Sequence, residues 1–297
     1  MWSDTWNSSE KTESNKASVE NGFGDFLVEG IVSGYGAFRG AKAGYLRNQT
    51  KLATSGLFGG KQKDAGVVVV QVDDTLGSGF AVDSHHIVTN MHVAAYRNRG
   101  IGSFTRVSAN PGTWMNAKIV AFSDTWDLAL LKTTTGHGLK PLKLASVDKV
   151  LEPGAEVIAA KRGIISRRLK VGPGIHESTG SIDELSTKAW NNLNVIQRAD
   201  DFGRSKLLSL LGGGELPGAS TREALYSKIV GVRQGWSGSP LIERKTGEVV
   251  GVISGAFFNP KTYRSEFSES VKGVHEMLAA AASRERQSHI RLGIGDG

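Results

Sequence analysis

Gly77-Ser78-Gly79-Phe80-Ala81-Val82 and, shortly after it, Ile87-Val88-Thr89-Asn90-Met91-His92-Val93 read as a β-hairpin whose second strand ends at a histidine. Working outward, Val67–Val72 is β-branched almost throughout. Further short runs of this kind lie at His86–Thr89, Met115–Phe122, Asp127–Lys132, Glu156–Ala160, Lys228–Val232 and Glu248–Ser254. Gly, Asn, Asp or Pro residues separate them. Many short strands with few helical periods predict an all-β chain built as a barrel or sandwich. One helix is expected near the C-terminus, where Val271, Val274, Leu278 and Ala281 recur at helical spacing after Ser268. Between about 172 and 226 the pattern weakens around Gly212-Gly213-Gly214 and Pro217-Gly218, which reads as long, partly mobile loops.

The chain has 297 residues, enough for one large domain or two small ones. With 39% hydrophobic and 22% charged residues it is an ordinary globular sequence. Glycine is the outlier at 38 residues, about 13% against a usual ~7%, and points to turns, bulges and tight loops. The absence of cysteine excludes a disulfide scaffold, thiol catalysis and Cys-based metal or iron–sulfur sites. Net charge is +7, compatible with an acidic partner but demanding none. The basic stretch Lys161-Arg162, Arg167-Arg168 and Lys170 reads as a solvated face. Without aromatic interleaving it gives no reason to expect nucleic acid. Residues 1–25 are polar and Ser/Asn/Glu-rich, unlike a secretory signal, and no run of 18 apolar residues predicts a membrane span. A cytoplasmic location is favoured.

Three segments carry candidate chemistry. His92, at a strand end, is an imidazole with a near-neutral pKa and so suits a general base. Asp127 opens the apolar run Asp127-Leu-Ala-Leu-Leu-Lys132, which is costly unless something pairs with the carboxylate; orienting an imidazole would be such a pairing. Ser237, in Gly235-Trp236-Ser237-Gly238-Ser239-Pro240-Leu241, is set to sit on a tight turn with its hydroxyl exposed. The glycine two residues earlier would let backbone N–H groups converge on a developing oxyanion. Each segment alone has an ordinary reading as a turn or strand end. Together they run His92, Asp127, Ser237, with gaps of 35 and 110 residues. An α/β hydrolase has the order Ser, acid, His and a Gly-x-Ser-x-Gly elbow, whose last position is Ser239 here. A subtilisin-like order needs an acid before His92. Asp73, Asp74 and Asp83 exist, but the helix–strand alternation of that fold does not.

Residues about 66–280 resemble the trypsin-like (chymotrypsin-fold) serine proteases, nearest to HtrA/Deg-type and other bacterial or viral members. The hairpin with His92, the Asp127 strand and the Ser237 loop carry the resemblance. So does Pro141-Leu-Lys-Leu-Ala-Ser with Leu151-Glu-Pro-Gly-Ala-Glu-Val-Ile-Ala. It implies two antiparallel six-stranded β-barrels, about 66–150 and 151–265, then a helix at about 268–285 and a tail at 286–297. Residues 1–65 would be a less ordered extension: linker, pro-segment or docking arm. No PDZ-like domain is expected. The implied activity is a serine endopeptidase using His92, Asp127 and Ser237, with an oxyanion hole at Gly235 and Ser237 and a protein or peptide as substrate. No cofactor or metal is expected, and the sequence carries no signal of oligomeric state. The sequence departs from the family at Trp236, where Asp or Asn is usual. This closes the activation route in which an acid pairs with a new N-terminal amine, so substrate, partner or oligomer contacts are expected to order the loop. Gly231 stands where trypsin-like specificity needs an acid, and Ile253-Ser254-Gly255 forms an uncharged pocket wall. A small or medium apolar P1 side chain is therefore expected. The alternatives are a latent or pseudoprotease binding module of the same fold, and a viral-type processing protease.

Overall fold

Five valines in six residues make Val67–Val72 a strand, β1, because Cβ branching favours the pleated backbone; all but Gln71 are buried. In a computed structural model of the chain, the described residues are 66–291 apart from 111, 124, 164–168, 182–183, 185–221, 233–234 and 258–264. The expected extension at 1–65 lies outside them. β1 pairs antiparallel with β2 (Thr75–Ala81), which turns into β3 (His86–Thr89). β4 (Phe104–Asn110), β5 (Thr113–Phe122) and β6 (Ala129–Thr133) complete a closed barrel in the order β1-β2-β3-β6-β5-β4. A second closed barrel follows, in the order β10-β11-β12-β9-β8-β7. Its strands are β7 (Glu156–Arg162), β8 (Leu169–Ser181), β9 (Glu223–Ile229), β10 (Pro240–Glu243), β11 (Val249–Phe257) and β12 (Ser265–Ser270). Closure leaves no open sheet edge in either half. The two antiparallel six-stranded barrels expected from the sequence are therefore present.

Three apolar cores hold this arrangement. Val68, Val70, Ile87, Ile119 and Leu131 help fill barrel 1; Val157, Leu225, Trp236, Leu241 and Ile253 help fill barrel 2. The third core lies between the barrels, where Phe80, Val88 and Leu130 meet Ala160, Ile242 and Val252. The C-terminal helix adds Val274 and Met277 to it. Burying each large aliphatic side chain contributes about 1.5–3 kcal/mol.

Several local expectations change. The stretch from 172 to 226 is not loop throughout, for β8 runs to Ser181 and β9 begins at Glu223, earlier than the expected strand at Lys228–Val232. Gly172-Pro173-Gly174 hid β8, because those residues usually mark turns. Here the backbones approach so closely that a Cβ on Gly172 or Gly174 would press on the carbonyl of Val230 or Lys228. Residues 185–221 are not among those described. The C-terminal helix covers Val271–Arg291, later at both ends than 268–285, and Ser268 belongs to β12. Within the basic stretch Arg162 is not on a solvated face: it is 1% exposed and its Nε donates to the Val67 carbonyl at 2.8 Å, joining the two barrels. In the same stretch Lys170 is exposed, and Arg167 and Arg168 lie outside the described residues.

Candidate active site

His92 sits in the first turn of a short helix, α1 (Met91–Ala94), directly after β3. Asn90 locks this junction from within: it is fully buried, and its Nδ2 donates to the Asp127 backbone carbonyl at 2.9 Å. Asp127 lies just ahead of β6, which pairs with β3, so the strand pairing that closes the barrel also brings the two side chains together. The His92 backbone N–H donates to Asp127 Oδ1 at 2.9 Å, and His92 Nδ1 lies 2.6 Å from Asp127 Oδ2. A carboxylate bonded to both the main chain and the ring of one histidine fixes which ring face and which nitrogen are presented outward. That outward nitrogen is Nε2, and the His92 side chain is 47% exposed.

Burial pulls the His92 pKa down, but the Asp127 charge, its hydrogen bond and a smaller contribution from Glu269 outweigh that and raise it above the ordinary value. Burial likewise raises Asp127. The His92 charge and ring hydrogen bond, the Ser254 hydroxyl and the His92 N–H together reverse this and hold the carboxyl below its usual range. Asp127 is therefore ionised in the neutral range, and His92 holds a proton more tightly than a free imidazole.

Ser237 lies on the tight loop before β10. Barrel 1 grips this loop directly: Ser78 N–H donates to the Ser237 carbonyl at 2.8 Å, and Ser78 Oγ donates to the Gly235 carbonyl at 2.9 Å. Gly235 has φ +80° and Gly238 φ +85°, both in the left-handed region. A Cβ on Gly238 would collide with the Ser78 carbonyl, so only glycine allows the hairpin and the loop to meet. The Gly238 N–H donates to the Ile253 carbonyl and the Ser239 N–H to the Trp236 carbonyl, at 2.8 and 2.9 Å. Among the described residues no group accepts from the N–H of Gly235 or Ser237, which leaves both available to an oxyanion. Trp236, the departure from the family pattern, is 4% exposed within the barrel 2 core. Its side chain packs into that core and ties the loop to barrel 2.

Of the expected pocket wall, Ile253 and Ser254 are buried, and Ser254 does more than line a surface. The register between β11 and β12 slips between Ile253 and Gly255, so Ser254 is the extra residue of a bulge. Bulges re-aim side chains, and here the Ser254 hydroxyl donates to Asp127 Oδ2 at 2.6 Å. Its carbonyl accepts from Ser237 Oγ at 3.4 Å, a long bond. One residue thus touches both Asp127 and Ser237. The sequence marks Ser254 only as pocket wall and not as a partner of Asp127, because a bulge is set by pairing and not by composition. Gly231, the other expected pocket residue, lies in an exposed turn after β9 with φ +81°. Ahead of β3, Asp83 caps a turn: its Oδ1 accepts from the backbone N–H groups of His85 and His86, each at 2.7 Å. Among the described residues no cluster of three His, Asp or Glu side chains has metal-holding geometry.

Residues 77–252 match the family model of the trypsin-like peptidase domain. No curated protein matches the sequence. Among solved structures, the inactive form of the Rv3671c protease of M. tuberculosis H37Rv (Ser343Ala mutant) aligns with a TM-score of 0.54 at 21% identity. That alignment covers 78% of this chain and 93% of the other. Its active form gives a TM-score of 0.54 at 20% identity over 77% of this chain and 85% of the other. Deg5 gives 0.50 at 21% identity over 76% and 92%. At these identities the structures speak to fold alone.

Proposed function

Because the chain belongs to the trypsin-like peptidase family and is a serine protease by class, we propose that Ser237, His92 and Asp127 carry out peptide-bond hydrolysis through an acyl-enzyme, within a protease domain at about 66–285. Ser237 Oγ attacks the scissile carbonyl as its proton passes to His92 Nε2. The new imidazolium is stabilised by Asp127, already ionised and bonded to Nδ1. The tetrahedral oxyanion is met by the N–H groups of Gly235 and Ser237. His92 then gives its proton to the leaving amine, and water releases the acyl group by the same steps in reverse roles. No cofactor enters this scheme.

The observation that carries the reading is the continuous set of contacts from His92 through Asp127 and Ser254 to Ser237. A fluorophosphonate probe is expected to label the native protein and not Ser237→Ala, with hydrolysis falling by roughly 10⁴-fold or more. Equal labelling of the two proteins would refute Ser237 as nucleophile. The absence of labelling in both would favour the latent binding module, a reading for which the bond from Ser237 Oγ to Ser254 O speaks.

The P1 side chain is small or medium and apolar. In support, Gly231, Ile253, Ser254 and Gly255 offer no charge, and the Ser254 hydroxyl is committed to Asp127. A peptide library cleaved mainly after Arg or Lys would overturn this. The substrate is a protein or peptide. No helix among the described residues is long and apolar enough to cross a membrane.

A further inference from the structure

β12 brings a second carboxyl into the same network. Glu269 is held by Arg222, immediately before β9, through Nε to Oε2 and Nη2 to Oε1, each at 2.9 Å. Both side chains are 0% exposed. Desolvation cancels much of the attraction in a buried ion pair, so an apolar pair of the same volume would stabilise the barrel about as well. Location supplies a different reason for this one. The Ser254 hydroxyl donates to Asp127 at 2.6 Å, and Ser254 also acts on the Glu269 carboxyl, favouring its charged form. Charge interactions tie Glu269 to Asp127 and to His92. Glu269 stands opposite Val252, and the bulge that re-aims Ser254 follows two positions along β11.

We propose that Glu269, clamped by Arg222, is a positioning residue of the active site, fixing the Ser254 hydroxyl and through it the Asp127 carboxylate and the His92 ring. This rests on the reading of His92, Asp127 and Ser237 as the reacting set. The groups that face Glu269 are Arg222 before β9, Ser254 on β11, Asp127 before β6 and His92 on α1. Burial pushes the Glu269 carboxyl up to about 7, with Arg222 opposing the rise and Asp127 adding to it. Its charge therefore changes in the range where the imidazole works.

The test uses the full-length chain with Glu269→Gln. The His92 titration, followed by NMR of the labelled imidazole, needs no catalysis. It is expected to move down by about half a pH unit or more once the nearby carboxylate is gone. The acid limb of kcat/KM should move the same way, with kcat down roughly tenfold and KM unchanged. A second variant, Arg222→Met/Glu269→Met, removes both charges and keeps the volume. It is expected to fold and to keep the low kcat. An unmoved His92 titration in a natively folded Glu269→Gln, or full kcat in the double variant, would overturn the proposal. If the native protein neither hydrolyses peptides nor labels at Ser237, the protease reading of these residues fails, and the NMR titration still decides the role of Glu269.

Discussion

Barrel 1 is lined by Val68, Val70, Ile87, Val107, Ile119 and Leu131, whereas barrel 2 closes around Trp236 with Arg222, Glu269 and His176 buried beside its apolar core. The strand order is the same in kind, and the interiors obey different physics. Apolar burial is non-directional, so the barrel 1 interior tolerates small rearrangements. Buried charges and polar rings must meet partners at fixed distances, as Arg222 does with Glu269 and His176 with Thr179 at 3.1 Å. Barrel 1 contributes His92 and Asp127 to the candidate site from strand ends at its rim. Barrel 2 carries its part in its wall, where the bulge at Ser254 lies near Glu269 on β12.

The sharpest way to break this contrast is to remove one buried group from each barrel. Arg222→Met leaves Glu269 buried without its cation and is expected to cost about 3–5 kcal/mol. The double variant with Glu269→Met should recover most of that loss. Leu131→Ala, in barrel 1, should cost about 2–5 kcal/mol through its cavity alone, with no partner substitution able to restore it. Urea unfolding of the three proteins measures both outcomes. Recovery of stability in the double variant would show that the charges contribute more to geometry than to folding energy.

A smaller effect separates the halves by pH. Glu269 in the folded chain binds its proton more tightly than the free carboxyl, so the folded state holds more protons between pH 4.5 and about 7. Stability should therefore fall as pH rises through that window. His92, raised above 6.5, adds a loss of the same sign as pH passes its folded value. Asp127, held low, acts oppositely: its contribution is full above the usual carboxyl range and is lost in acid. Urea midpoints taken from pH 4.5 to 7.5 should slope downward for the native chain and more shallowly for Glu269→Gln. Parallel slopes would place the extra protons elsewhere.

The same contrast governs how much of each barrel is legible in the sequence. Barrel 1 was legible because Val67–Val72, Ile87–Thr89 and the run after Asp127 carry their burial in their composition. In barrel 2, β8 contains Gly-Pro-Gly and β12 is Ser-Glu-Phe-Ser-Glu-Ser, neither of which has the apolar alternation of a strand. Those segments are strands because neighbours on both sides pair with them, a tertiary cause that leaves little local mark. His92, Asp127 and Ser237 could be singled out by order and flanking glycines. Ser254 could be seen only as an uncharged wall, and Glu269 and Arg222 not at all. A bulge and a pair 47 residues apart exist only once the barrel has closed.

The grip of Ser78 on the loop has a consequence for how the chain comes into being. The carbonyls of Gly235 and Ser237 are held by a residue of barrel 1, so these two contacts form only where the two halves have docked. A chain with only barrel 1 formed can bring His92 and Asp127 together, and still lacks the barrel 2 loop that carries Ser237. The contacts between Ser78 and the Ser237 loop are in this way completed only with the fold as a whole.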